Sequence, residues 1–334
     1  MLNKLMHHIK NNYKEMIINI LIISFFLFAS IYNFPYLIYK PGGTIPLESR
    51  MYINDKKVLL GDYNLAYVSV SRGNLLNLIF ANVIKDWDVV KEDKMLIPET
   101  DYDTTFKIEK IDMQNSINIA KYIAYQKAGK DVELKIKSNY IYAIDKTSDT
   151  DLQVLDEIIS IDNMDFDLDK MTSYINELAL GTKITFQVMN DNTHYERYGI
   201  VSKFDDRKAI GVYISSIYET VTVPKIEIKA KDSEAGSSGG MMMTLAIYDA
   251  LTDKDMTSGK KIVGTGTIEI DGSIGGIGGV KYKLLGAKKA KADIFFIPSE
   301  NYEEAKTVYD EYKLKFDLVS ISNFDEVIAY LDSI

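Results

Sequence analysis

Serine, lysine and glycine carry the chemistry available to this chain. Glu234-Ala235-Gly236-Ser237-Ser238-Gly239-Gly240 precedes an apolar run, MMMTLAIYDALT, that has the pattern of a helix. Small residues there let the backbone turn tightly and aim N–H groups outward at a helix N-terminus, which suits an oxyanion or another anion. Further on, Gly275-Gly276-Ile277-Gly278-Gly279-Val280-Lys281 opens a second helical run, YKLLGAKKA, and sets a lysine just after close-approaching backbone. A serine attacking an amide needs a base, and a desolvated lysine can serve because burial favours the neutral amine. Moving a lysine from about 10.4 to near 7–8 requires about 3–5 kcal/mol, which only a dry pocket with acceptors aimed at the amine supplies. Both features also have plain structural readings. Glycines at a helix start serve turns and packing, and a lysine there commonly lies in solvent.

Other chemistries are excluded by what the chain lacks. The three histidines are His7, His8 and His194, the first two in an N-terminal tail. Two-histidine zinc motifs are therefore absent from any folded region, and a Ser-His-Asp triad would rest on His194 alone. With no cysteine, disulfides, thiol catalysis, iron–sulfur clusters and cysteine-ligated zinc drop out, and no metal or cofactor is expected. Lysine and arginine number 39 against 48 aspartates and glutamates, a formal net charge of −9, which argues against nucleic acid. No G-x-x-x-x-G-K-S/T loop occurs, so no nucleotide is expected.

The elements that must position such a site form a chain of 334 residues, 46% hydrophobic and 26% charged, enough for roughly two globular domains. From Met16 to Leu37 no residue is charged, about the 20 residues a membrane-crossing helix needs. Lys4, Lys10 and Lys14 precede this run, so the positive-inside rule places the tail in the cytoplasm and the rest outside. Residues 52–71 alternate like a hairpin around a turn at Gly61-Asp62, and 112–127 have helical spacing. Then VELKI, YIYAI, EIISI and KITFQVM read as four strands, with an amphipathic stretch at 168–179, forming a β unit that ends near Phe204. Strands at 209–215 and 221–229 follow, then the helix after the Gly/Ser loop and a strand at 261–270. A helix at 281–291, a strand at 293–297 and two terminal helix-like segments complete the chain.

The segment from Pro224 to Pro298 resembles the proteolytic domain of Lon proteases. Gly236-Ser237-Ser238-Gly239-Gly240 is similar to the family's nucleophile motif, and Ile277-Gly278-Gly279-Val280-Lys281-Tyr282-Lys283-Leu284-Leu285 to its lysine motif. The resemblance implies that Ser238 is the nucleophile and Lys281, 43 residues later, its base. It further implies that Thr265, in Gly264-Thr265-Gly266-Thr267-Ile268, orients the lysine, and that Gly236, Ser237 and Gly239 form the oxyanion loop. Ser237 replaces a proline of the motif and stands as a rival nucleophile; Gly239 replaces an alanine. Asp232 and Glu234 read as surface or substrate-edge residues.

The wider arrangement resembles the membrane-anchored, PDZ-containing Lon-type serine proteases of Gram-positive bacteria. That implies an α+β fold with an N-terminal transmembrane helix and a βαβ-containing Lon-type proteolytic domain into which a PDZ domain is inserted. The expected boundaries are a cytoplasmic tail over 1–15, an anchor over 16–38, the two parts of the proteolytic domain at 45–129 and 207–334, and the PDZ domain at 130–206. Ser138, Asn139, Tyr140 and Ile141 would receive a peptide along a strand edge. The run Leu152–Asp162 is similar to a PDZ signature in which Leu155 takes the place of glycine. The implied activity is an ATP-independent serine endopeptidase acting on peptides or exposed protein segments on the extracytoplasmic side. Its expected partners are that substrate, the membrane and possible further copies of the chain. The alternative is an inactive, anchored PDZ adaptor.

Overall fold

The computed structural model describes residues 2–58, 61–98, 100–252 and 255–334, with residues 2–11 described by their backbone alone. The side chains of Lys4, His7, His8 and Lys10 thus lie outside the described residues, as do Leu59 and Leu60 of the expected hairpin. The chain divides into two compact units: one holds residues up to Pro41 together with Val68–Met95, the other Gly42–Tyr67 together with Leu96–Ile334. In chain order the elements are α1 (Leu2–Ile31), β1 (Asn33–Pro46), β2 (Met51–Ile53), β3 (Lys56–Lys57), β4 (Tyr63–Asn74), α2 (Leu75–Val83), β5 (Asp88–Lys91) and α3 (Tyr102–Lys127). There follow β6 (Val132–Ile144), β7 (Glu157–Ile161), β8 (Met164–Asp165), α4 (Leu168–Glu177), β9 (Lys183–Asn190), β10 (Thr193–Ile200), β11 (Ser202–Phe204), β12 (Arg207–Ala209) and β13 (Val212–Thr222). The last are β14 (Ile226–Ile228), α5 (Gly240–Thr252), β15 (Ile262–Gly264), α6 (Val280–Ala290), β16 (Ile294–Pro298), α7 (Tyr302–Glu311), β17 (Asp317–Ile321) and α8 (Phe324–Leu331).

In the first unit, α1 departs from helical geometry at Asn12. The 20 residues Asn12–Ile31, with a mean hydropathy of 1.9 over their most apolar 18-residue window, form a helix long and apolar enough to cross a membrane, at about 1.5 Å per residue. The expected span ran too far toward the C-terminus. Helix ends at Ile31, and the following residues extend as β1, pairing antiparallel with β5 from Tyr36↔Lys91 to Tyr39↔Asp88. Pro35 explains the stop, because proline lacks the N–H a helix interior needs and holds its predecessor extended.

The second unit contains the strand–helix alternation expected of its last third. Tyr63–Leu65 of β4, β15, β16 and β17 lie side by side and all parallel. Side chains alternate across this sheet as period two demands. Ile262, Ile294 and Phe296 join a core with α3, α5 and α8, while Val263, Phe295 and Ile297 join a second core with α6 and α7. Helix α5 is buried nearly all round, which is why its sequence, GMMMTLAIYDALT, shows no polar face. Strand β17 replaces part of the expected terminal helices. The early hairpin turns at Asn54-Asp55, both with positive φ (46° and 64°), instead of at Gly61-Asp62. Those two residues suit the left-handed positions of a two-residue turn.

The β unit is a six-stranded antiparallel sheet in the order β10-β9-β7-β6-β13, with β8 pairing β7 off that path. VELKI and YIYAI are one strand, β6, and β13 pairs with it from Val212↔Ile144 to Thr222↔Val132. The sheet therefore runs to Thr222, past the expected boundary at 206. Met171 and Ile175 of α4 pack on its core beside Ile158, Phe186 and Val188. Leu155 adopts φ 73°, so the position where the signature has glycine keeps the glycine conformation. Beside it Asp156, fully buried, accepts from the Gln153 N–H (2.7 Å) and Asn190 Nδ2 (2.8 Å) and faces Arg197 Nε at 3.4 Å.

Candidate active site

The Gly/Ser loop is pinned from three sides. Ser116 Oγ on α3 donates to the Ser237 carbonyl (2.9 Å), and the Glu109 carbonyl on the same helix accepts from the Gly236 N–H (2.9 Å). After β15, the Gly266 N–H (2.8 Å) and Thr265 Oγ1 (3.0 Å) both donate to the Ser238 carbonyl. Arg50 reaches Glu234 at 2.6 Å and ties down the start of the loop. Glycine at position 240 is a steric requirement: a methyl group there would lie 2.5 Å from Ser116 Oγ and 2.6 Å from Ile268 Cγ2. Gly236 takes φ 96°, a conformation side chains rarely adopt.

The side chain facing Ser238 is Lys283. Its Nζ lies 2.9 Å from Ser238 Oγ and 3.0 Å from Thr265 Oγ1. Lys283 is 3% exposed and Thr265 fully buried, and among the described residues no carboxylate pairs with this amine. Burial alone lowers the Lys283 pKa from 10.5 to about 7, because a charged ammonium loses its hydration in that position. The hydrogen bonds have a direction. Thr265 spends its one hydroxyl proton on the Ser238 carbonyl, so its oxygen must accept from Lys283. A neutral amine that donates to Thr265 keeps a lone pair to receive the Ser238 proton.

Lys281 is not the lysine at Ser238. Its ammonium lies over the Tyr282 ring, 5.5 Å from the centroid. Residues two apart on a helix differ by about 200° in direction, so Lys281 and Lys283 cannot face the same serine. The missed signal was the helical stripe. Val280, Leu284 and Ala287 form the buried face of α6, and position 283 borders that face whereas 281 does not. Thr265, expected to orient Lys281, stands beside Lys283 instead. Of the expected oxyanion residues, Gly236 has its N–H committed to Glu109. Among the described residues nothing accepts from the N–H groups of Ser237, Ser238 and Gly239, which sit just before the start of α5. Asp232 is exposed near Lys110 (3.8 Å), and Glu234 belongs to the ion pair with Arg50. Half-buried Asp112 on α3 has its carboxyl pushed above the usual range by burial.

Ser138, Asn139, Tyr140 and Ile141 do not form an open edge. They lie inside β6, with β13 opposite all four and β7 on the other side at Asn139 and Tyr140. Backbone groups already used on both sides cannot take another strand. The outer edge of β13 is occupied as well. Asn115 Nδ2 donates to the Ser216 carbonyl and Asn115 Oδ1 accepts from the Tyr218 N–H, while Asn118 Nδ2 donates to the Tyr218 carbonyl.

Comparison with known proteins falls on this site. Residues 213–332 match the family model of the Lon protease (S16) C-terminal proteolytic domain. The Lon protease of Mycoplasma mobile is 38% identical over 96 residues, covering 29% of this chain and 11% of that protein. The Lon protease of Campylobacter concisus is 31% identical over 130 residues, 39% of this chain and 16% of that protein. The chain thus spans only between 11% and 16% of these curated relatives. Among solved structures, the PDZ domain of an SdrC-like protein from Listeria innocua aligns at 17% identity with a TM-score of 0.22, covering 23% of this chain and 93% of that one. Ser238, Thr265 and Lys283 all fall within residues 213–332, the part of this chain that is similar to the proteolytic domain of Lon proteases.

Proposed function

We propose that this chain is a serine endopeptidase whose nucleophile is Ser238 and whose base is Lys283. The observation that carries this reading is a buried amine, 2.9 Å from the serine oxygen and with no counterion among the described residues. Neutral Lys283 takes the Ser238 proton as Oγ bonds to the scissile carbonyl carbon. The free N–H groups of Ser238 and Gly239 receive the oxyanion. Protonated Lys283 then gives its proton to the leaving amine, and the C–N bond breaks. A water deprotonated by the same amine hydrolyses the acyl-enzyme. An inactive adaptor would have no use for a buried lysine, whose retention costs stability.

Asn12–Ile31 anchors the enzyme in a membrane, with the basic tail on the cytoplasmic side and the catalytic unit outside. No phosphate-binding loop accompanies the site, so cleavage proceeds without ATP on segments that are already accessible. The β unit recruits extended substrate at a place other than β6. The test is cleavage of a quenched peptide by the full chain in vesicles. Ser238→Ala and Lys283→Met each abolish turnover, Lys281→Ala and Ser237→Ala retain it, and activity persisting in Lys283→Met overturns the reading.

A further inference from the structure

Helix α2 shows water a surface that helices normally bury. Its residues carry no charge, and Ile79 (52% exposed), Phe80 (51%) and Val83 (80%) are uncovered, continued by exposed Ile84 just past its end. Positions 79, 80, 83 and 84 fall on one side of a helix, so they form a continuous apolar face turned outward while Ala81 is buried.

The place of this face says what covers it. Asn74 caps α2 through Oδ1, which accepts from the Asn77 N–H at 2.8 Å. Its Nδ2 donates to the Ser30 carbonyl in the last turn of α1, at 3.0 Å. Helix α2 therefore begins where the apolar span ends. Aromatic rings cluster at that level: Phe28 stacks on Tyr32 at 5.1 Å, and Tyr32 meets Phe34 edge-on at 5.0 Å. Trp87 follows α2, with Lys40 Nζ 4.6 Å from its ring centroid. Aromatic rings and lysines beside an uncharged apolar face are what the headgroup boundary of a bilayer selects.

We propose that α2 is a second membrane contact. It lies along the bilayer surface with Ile79, Phe80, Val83 and Ile84 in the headgroup–acyl boundary. The occupant is the phospholipid bilayer, because the face is continuous with a helix that crosses it; the inference rests on that reading of α1. Two attachment points fix the tilt of the first unit, which a single span leaves free to swivel.

The chain has no cysteine, so Val83→Cys accepts one spin label at a site already open. Asp206→Cys, whose native side chain stands fully in solvent, gives the aqueous reference. Both full-length variants are reconstituted in phosphatidylcholine–phosphatidylglycerol vesicles and floated. Contact with the bilayer makes the label at 83 open to oxygen and shields it from a water-soluble nickel chelate at least about tenfold relative to 206. Adding Phe80→Glu and Ile84→Glu should restore most of the nickel access while the chain still floats. A floating chain whose label at 83 is as wet as that at 206 overturns the α2 contact and leaves the anchor standing. A chain that fails to float overturns both. A label hidden from oxygen and nickel alike, with dipolar broadening, assigns the face to a second copy and also overturns the proposal.

Discussion

The pH dependence of cleavage tests the Ser238–Lys283 pair most directly. Only neutral Lys283 can accept the serine proton, and burial sets its pKa at about 7 in place of 10.5. That shift corresponds to roughly 5 kcal/mol in favour of the neutral amine, as an order of magnitude. kcat/KM should rise about tenfold from pH 6 to pH 8 and level off above that. A solvated lysine would give roughly a hundredfold rise over the same range, still climbing at pH 9. The same shift acts on stability with a definite sign. Between about pH 7 and 10.5 the unfolded chain keeps a proton on Lys283 that the folded chain has released, so this residue's destabilising effect is full below pH 7 and fades as pH rises toward 10.5. Lys283→Met should therefore raise the melting temperature by several degrees at pH 6 and by less at pH 9. Initial rates on a quenched peptide across this range, with melting followed by circular dichroism, give both readouts. A rate still climbing through pH 9, or a Lys283→Met variant less stable at pH 6 than at pH 9 relative to wild type, would refute the reasoning.

Further expectations follow from single contacts. Thr265→Val leaves the lysine without its acceptor and takes one of two donors from the Ser238 carbonyl, the Gly266 N–H remaining, so kcat should fall by about two orders of magnitude with little change in KM, and Thr265→Ser should recover most of it. Ser116→Ala releases the Ser237 carbonyl and should lower kcat several-fold while the hydrogen-exchange protection of α5 persists. Gly240→Ala forces a methyl group against Ser116 and Ile268, which should cost about 1–3 kcal/mol in urea unfolding and remove activity with it. Asp156→Ala strips the buried acceptor from Gln153, Asn190 and Arg197, a loss of about 3–5 kcal/mol. Amide exchange should then accelerate within β6–β10 while short peptides are still cut.

What the sequence shows plainly is what local patterns control. The 20-residue apolar helix, the strand–helix alternation after Phe204 and the buried α5 behind its Gly/Ser loop all stand out as periodicity or glycine placement. Pairing between distant strands does not. Whether β6 is an edge or an interior strand depends on β13, which lies some seventy residues later, and whether β13 is itself open depends on asparagines of α3 that come before both. Residues 138–141 read the same in either case, so nothing local in their sequence tells whether a peptide could pair with them. The hairpin turn failed for a related reason: glycine is the usual turn signal, yet Asn54-Asp55 tolerates positive φ through short polar side chains.

The lysine assignment shows the limit of counting along the chain. The resemblance of residues 277–285 to a lysine motif, with an interval of 43 residues from Ser238, pointed to Lys281, but the loop between Thr265 and Gly279 is irregular, and its length does not fix which lysine reaches the serine. Direction in α6 does. Once Val280, Leu284 and Ala287 are taken as the buried stripe, the residue at 283 lies about 60° from the first of them and the residue at 281 about 100° off on the other side. A lysine bordering a buried stripe must lose its charge or find a partner, and Lys283 finds Ser238 and Thr265. The helical face that costs the lysine its hydration also supplies the neutral amine the serine requires. Burial and basicity at this position are therefore one property, which the half-buried Lys281, turned over the Tyr282 ring, does not share.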